Sequence, residues 1–412
     1  MPEQPQLQID AENRPSNYRW VIVAACVLMT LLTYGLFYSY SVFFLPLADS
    51  FNWDRASVSL IYSLAIIIRG AAAIGTGWLA DKFGARKIMI FCSVMMGLGF
   101  FLSSRVTTLW QFFFTFAVIE AIGMSGIFGI GAALTSRWFT KNRGLALGIV
   151  ASGSGLGTLL LVPISERLVD AVAWSQAFVI IGIATGIIMV GSALFLRPPS
   201  TQASTSQENY GRPTGFTLGE AVRDSRLWLL MFSFLLFFFG MQVVMVHLVN
   251  YARDVGIDAL LAASFVSVIG AVSIAGRLSI GVSVDRIGLY PNLVITRVFL
   301  ALSFVLLLFT RSAWSFYLFA VLFGIPYGAE AAQIPMAINR FFGTRAMATL
   351  VGVTVFIIGL GGAVGPWFAG KIHDITGSYN WAFIAGVISA VGSLALVGLL
   401  KRVDKGNKSL PR

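Results

Sequence analysis

Cysteine is nearly absent: Cys26 and Cys92 are the only two in 412 residues, and they fall in different apolar runs. That excludes a disulfide framework and leaves no cysteine spacing fit to hold a metal. Charge is scarce as well, at 11% of residues against 57% hydrophobic. A mean hydropathy of +0.82 is far too apolar for a soluble chain of this length. No nucleophile paired with a base and no metal cluster appear, so the sequence predicts no enzyme, no metal and no cofactor. No signal peptide precedes the first apolar run, because residues 1–18 are polar, include acidic residues, and lead into a run too long for an h-region.

Long apolar runs are what the chain has in quantity. A membrane-crossing helix needs about 20 mostly apolar residues. Twelve such runs can be placed, approximately at 20–46, 56–80, 88–106, 109–136, 145–168, 174–196, 227–251, 258–284, 292–310, 314–339, 347–370 and 379–400. They predict an all-α, multi-pass protein of the cell membrane. The net charge of +11 would suit nucleic acid, but its distribution argues for a lipid bilayer. With both termini cytoplasmic, 20 of the 29 Lys and Arg residues fall in cytoplasmic segments, 6 in external ones and 3 within spans. This is the positive-inside bias, and the reverse orientation would put ARK at 85–87, TKNR at 140–143 and KRVDKGNK at 401–408 outside.

Residues 198–225, PPSTQASTSQENYGRPTGFTLGEAVRDS, have the Pro, Ser, Gly and Gln content of a linker. The predicted organisation is a cytoplasmic tail at 1–18, six helices at 19–197, the linker at 198–225, six more helices at 226–401 and a tail at 402–412. A repeat supports the division. GWLADKFG at 77–84 recurs as GVSVDRIG at 281–288, and RWFTKNRGLALG at 137–148 recurs loosely as RFFGTRAMATLVG at 340–352. Two homologous halves with a substrate between them near the midplane form a recurring transporter plan. In the repeated element, Gly77 and Gly84 would permit close helix approach. Asp81, like its counterpart Asp285, would accept hydrogen bonds from a helix N-terminus, and Lys82, Arg86 and Lys87 would meet anionic headgroups.

With Gly77, Asp81, Gly84, Arg86 and Lys87 in that pattern, the chain resembles the major facilitator superfamily across all its spans. Within it, WFTKNRGLALGIVASG at 138–153 is similar to the signature of the monocarboxylate transporter family, as in a bacterial member, and of the related oxalate/formate antiporter branch. Arg277 occupies the position of that family's helix-8 arginine. The resemblance implies two pseudo-symmetric six-helix bundles. It also implies an aspartate one turn before this arginine and a lysine in helix 1, where this chain has Ser273 and Tyr38, and in the oxalate branch a second cation where Val355 stands.

Arg277 is the expected captor of a substrate carboxylate, since its planar fork holds both oxygens and keeps its charge at ordinary pH. At ~1.5 Å per residue it lies about 12 Å from Asp285, towards the membrane centre. The alternative is a structural pair with a buried acid such as Glu330. A single arginine at the site suits a monoanion. By resemblance, Tyr38, Phe128, Ser154 and Tyr327 form the rest of the wall. Arg69 and Glu120, at similar depth, predict an internal ion pair of the first half, with a transport role as the alternative. Glu330, His247 and Asp254 are the candidate proton carriers, although His247 equally fits a satisfied core histidine and Asp254 a solvated loop charge. GSGLG at 153–157 and GLGGAVGP at 359–366 lie within spans and predict close helix packing. The expectation is a secondary transporter of small monocarboxylates of the lactate or pyruvate type, coupled to protons. The alternatives are a carboxylate exchanger of the oxalate/formate type and a non-transporting receptor. The residues leave the oligomeric state open.

Overall fold

The computed structural model of the chain describes residues 17–139, 143–197, 215–343 and 345–406, but not the side chains at 81, 143, 144, 278, 281, 282, 285, 347, 348, 405 and 406. Among the described residues, eleven helical stretches are long and apolar enough to cross a bilayer. One of them, Arg143–Leu194, has non-helical dihedrals at Ala173 (φ 64°, ψ 158°). At ~1.5 Å per residue an unbroken helix of that length would be more than twice the ~30 Å hydrocarbon core, so this stretch makes two crossings. The spans are therefore twelve, as hydropathy predicts. They are α1 (Tyr18–Phe51), α2 (Arg55–Phe83), α3 (Ala85–Ser103), α4 (Leu109–Trp138), α5 (143–172) and α6 (174–194) in the first half. The second half holds α7 (Ser225–Asp254), α8 (Ala259–Ile287), α9 (Leu289–Phe309), α10 (Ala313–Phe342), α11 (Met347–Thr376) and α12 (Asn380–Gly406).

Polar residues set the helix ends. Asp54 caps α2 by accepting from the Ser57 N–H at 2.6 Å, and Asp258 caps α8 by accepting from Leu260 and Leu261. Thr108 and Gln111 close a capping box at the start of α4. Prolines 46, 163, 326, 335 and 366 lie inside helices, which membrane bundles tolerate because neighbours satisfy the freed carbonyls. The carbonyl of Pro366 itself lies 2.9 Å from the His247 ring Nε2 of α7.

The backbone repeats with the sequence. Among the described residues, six of the eight with positive φ pair at a spacing of 204: Asn52 and Gly256, Gly84 and Gly288, Ala173 and Gly377. Gly84 and Gly288 close α2 and α8 with similar dihedrals (ψ 141° and 168°), whereas Ala173 and Gly377 share only the sign of φ, with ψ at 158° and 12°. Ala173 is the strained member, since its dihedrals belong to a region that glycine alone visits freely. Ala173→Gly is expected to stabilise the folded protein by about 1 kcal/mol, read as a higher detergent melting temperature with unchanged transport.

Within the halves, α1 packs on α5, α3 on α6, α7 on α11, α8 on α10 and α9 on α12, while α2–α11 and α5–α8 contacts join the halves. The glycine runs make these approaches possible. Gly153 and Gly157 face the α1 backbone at Val27 and Leu31, whereas Gly155, between them, faces Gly270 of α8. Gly361 and Gly365 lie against Leu235 and Phe239 of α7, and Gly370 against Arg55 and Ser59 of α2. Helix α5 thus has α1 on one face and the opposite half on the other.

The linker predicted at 198–225 lies outside the described residues as far as 214. Its last part is structured rather than free: Phe216 donates its N–H to the Phe342 carbonyl at 2.9 Å, and Leu218–Arg223 is a short helix with a Thr217–Glu220 capping box.

Candidate functional site

Where α5 meets α8, Gly155 leaves a gap that Arg277 fills. A Cβ on Gly155 would stand 2.9 Å from the Gly270 carbonyl oxygen and 3.0 Å from Arg277 Nη1. That nitrogen donates to the Ala151 carbonyl at a long 3.4 Å, and the Ser154 hydroxyl donates to the same oxygen at 2.9 Å. The guanidinium lies 5.8 Å from the centre of the Tyr327 ring on α10. Among the described residues no carboxylate is within 4 Å of Arg277. The structural pair with Glu330 is not formed: that carboxyl feels Arg297 first and Arg277 second.

Tyr327 begins an aromatic row that crosses into the first half. Its ring centre is 5.8 Å from that of Tyr38, which is 6.4 Å from Tyr34, which meets Phe128 edge-on at 6.3 Å. At the far end, the Arg69 guanidinium sits 5.9 Å from Tyr34 and 4.8 Å from Phe37. Two guanidiniums therefore flank the tyrosines, not one as the helix-1 and helix-11 positions imply. The physical reason is that Arg69 lacks the ion pair predicted with Glu120. Its Nη1 donates weakly to Met124 Sδ at 4.0 Å, and neither Glu120 oxygen has a hydrogen-bond partner among the described residues. The arginine stacks on aromatic faces instead, which accept cations through their quadrupoles.

The expected wall residues differ in setting. Tyr38, Ser154 and Tyr327 are buried, and the Ser154 hydroxyl is used on its own helix, while Phe128 is 38% exposed. Ser273, in place of the family's aspartate, also bonds its own helix, at the Gly270 carbonyl. Val355 is 52% exposed.

Sequence reasoning did not single out Arg297, the third intramembrane arginine, although a lone arginine in LVITRVFL was the available signal. It is wholly buried in α9, donates to Thr296 and Gln333 at 2.9 and 2.7 Å, and lies about 4.5 Å from both the Phe234 and Phe237 rings. These contacts make it an interior member of the second half.

Asp254 and His247 stand apart from the arginine site, in a seal near the helix ends opposite the basic side. Arg55, at the start of α2, donates to both Asp254 oxygens at 2.7 and 2.8 Å and to the Tyr379 hydroxyl at 2.7 Å. Asp374 of α11 accepts from the Arg55 and Ala56 backbone N–H groups at 3.0 and 2.7 Å, capping α2 from the opposite half. Asp254 is thus an inter-half clamp and not a solvated loop charge. His247, fully buried, lies 3.2 Å from the Ser59 hydroxyl and 3.0 Å from that of Tyr379. Farther in, Gln242 donates to Tyr62 at 3.3 Å. The hydrogen bonds that join the halves cluster on this side. On the opposite, basic side, Gly77 borders a cleft of about 180 Å³ between α2 and α4 with nothing within 4 Å of a Cβ placed on it. The close approach expected there is not made: the cleft is lined by residues of α2, α3 and α4, all of the first half. Gly84 makes a positive-φ turn, Arg86 and Lys87 are exposed, and the Asp81 and Asp285 side chains lie outside the described residues.

Comparison with known proteins agrees with this architecture. The model of the family described as Major Facilitator Superfamily matches residues 26–366. Monocarboxylate transporter 12 of Homo sapiens is 27% identical over 94% of this chain and 82% of its own length. The oxalate:formate antiporter of Oxalobacter formigenes is 27% identical over 92% of this chain and 90% of its own. Among solved structures, a bacterial homolog of the human lysosomal transporter Spinster, inward-facing and unoccupied, superposes with a TM-score of 0.68 at 18% identity, covering 94% of this chain and 95% of that one. Twelve crossings in two repeated halves, joined by α2–α11 and α5–α8 contacts, and a family model spanning most of them identify the chain as a multi-pass membrane protein of the major facilitator superfamily.

Proposed function

We propose that the chain is a secondary transporter that carries a small monocarboxylate, of the lactate or pyruvate kind, together with a proton across the cell membrane by alternating access. Arg277 carries this reading. A guanidinium within the bilayer costs roughly 2.5–3.5 kcal/mol on insertion scales, and no carboxylate within 4 Å among the described residues offsets it. An anion from the cavity supplies the missing partner and fits the fork. The tyrosines beside it cover a short apolar body and offer hydroxyls. The names of the human and Oxalobacter relatives, both carboxylate carriers, support the substrate class. The inter-half hydrogen bonds around Arg55, Asp254 and Asp374 close the side opposite the basic one; with the basic side assigned to the cytoplasm by the positive-inside bias, this seal belongs to an inward-facing state.

Proton coupling draws on the titratable groups already described. Asp254 and His247 belong to the seal, so their protonation would act on opening. Glu330 lies in the field of Arg297 and Arg277, so its protonation would act on the arginines. The second reading is a carboxylate exchanger of the oxalate/formate kind. Arg69 favours it by supplying the second cation that Val355 does not. Uptake of labelled lactate into proteoliposomes separates the two. Several-fold stimulation by an inward proton gradient without internal substrate is the expected result, while a strict requirement for internal anion selects exchange. No flux with any carboxylate overturns both.

A further inference from the structure

We infer that Glu120 binds the proton that travels with the substrate anion, and that Arg69 is the cation it exchanges for. This rests on the proton-coupled reading above. Glu120 is wholly buried, and neither of its carboxylate oxygens has a hydrogen-bond partner among the described residues. It ends the π-helical turn Phe113–Glu120 in α4, a geometry frequent at functional sites. Helix α3 closes the wall around it: a Cβ on Gly99 would lie 2.6 Å from the Glu120 Cβ. An ionised carboxylate without donors is very costly in such a setting, so in this conformation the group holds its proton. The titratable groups that act on it are Arg69 and Tyr62, both of α2, and α3 contributes none.

Arg69 stands between two places where its charge can be met. Behind it is Glu120, with Met124, one turn further along α4, accepting weakly from Nη1 at 4.0 Å. In front of it is the row of Tyr34, Tyr38 and Tyr327 that ends at Arg277. With Glu120 protonated, the Arg69 charge is uncompensated and draws an anion to the tyrosines. When the anion leaves, Glu120 gives up its proton to the open side and pairs with Arg69. The loaded form (neutral Glu120, Arg69 cation, substrate anion) and the empty form (Glu120 anion, Arg69 cation) carry the same charge. Neither then works against the membrane potential on crossing.

The full chain in proteoliposomes, with labelled L-lactate as probe, tests this. Wild type is expected both to exchange lactate and to accumulate it under an inward acid gradient. Glu120→Gln, a neutral isostere of the protonated acid, is expected to keep exchange within about twofold, lose at least tenfold of the gradient-driven accumulation, and melt within a few degrees of wild type. Accumulation by Glu120→Gln at the wild-type level overturns the inference and leaves the symport reading intact. A wild type that exchanges but ignores the gradient overturns the symport reading, and this inference with it. Early melting of Glu120→Gln marks an ionised structural partner and also overturns it. Infrared difference spectra on lactate release supply a direct readout: the protonated-carboxyl band should disappear in wild type and be missing throughout in Glu120→Gln. No such band in wild type is a further overturning result.

Discussion

Arg277→Lys is expected to weaken carboxylate binding by one to two orders of magnitude, even though the charge is kept. A charge-assisted bond to a carboxylate is worth about 1.5–3 kcal/mol, and about 1.4 kcal/mol is a factor of ten. Lysine loses the two-pronged geometry that holds both oxygens. Arg277→Gln removes the charge as well and should abolish uptake. Stability should hardly change, because the side chain is only half-buried and its one hydrogen bond among the described residues, to the Ala151 carbonyl, is 3.4 Å long. Thermal unfolding with and without substrate separates the two roles. Wild type at a hundredfold excess of ligand over Kd gains about 2.7 kcal/mol. Arg277→Gln should gain nothing while melting near the wild-type apo temperature. A variant that unfolds many degrees lower, or is still stabilised by lactate, places the carboxylate site elsewhere.

Cutting the outer seal should redistribute the two ends of the transport cycle. Arg55→Ala removes both bonds to Asp254 and the bond to Tyr379 in one step, while the Asp374 cap on the α2 backbone survives. The clamp is partly exposed, with side-chain exposures of 17% and 30%, so solvent screening reduces its worth. A shift of about 1–2 kcal/mol, roughly a factor of 5–30 in a two-state ratio, is the expected scale. Ser63, on the face of α2 that carries Ser59 and only 3% exposed, is a suitable reporter. The native Cys26 and Cys92 are buried. Labelling of Ser63→Cys from the outer side by an impermeant maleimide should accelerate by that factor when Arg55→Ala is added, and transport should slow as the outward state accumulates. Unchanged labelling means that Asp374 and His247 hold the seal without the ion pair.

These experiments probe features with very different histories in the chain. Hydropathy is local and additive, so the twelve crossings and the repeat centred on Asp81 and Asp285 were legible in one dimension. Arg277 was legible for the same reason, because a guanidinium in an apolar run demands a cavity or a partner wherever the helix packs. Which of those it has, and what the other charged residues do, depends on distances between helices far apart in sequence. Arg55 and Asp254 are 199 residues apart and close a bidentate pair. Arg69 and Glu120 lie close enough in depth to suggest a pair, yet the first stacks on Phe37 and the second is left without a hydrogen-bond partner among the described residues. Hydropathy sees depth along the membrane normal but not rotation about a helix axis. Rotation decides whether two charges at one level meet, and it follows from where glycines such as Gly99 and Gly155 let backbones close in. Hence the architecture can be read from the chain, while the second guanidinium, the seal and the solitary carboxyl emerge only when the helices are packed.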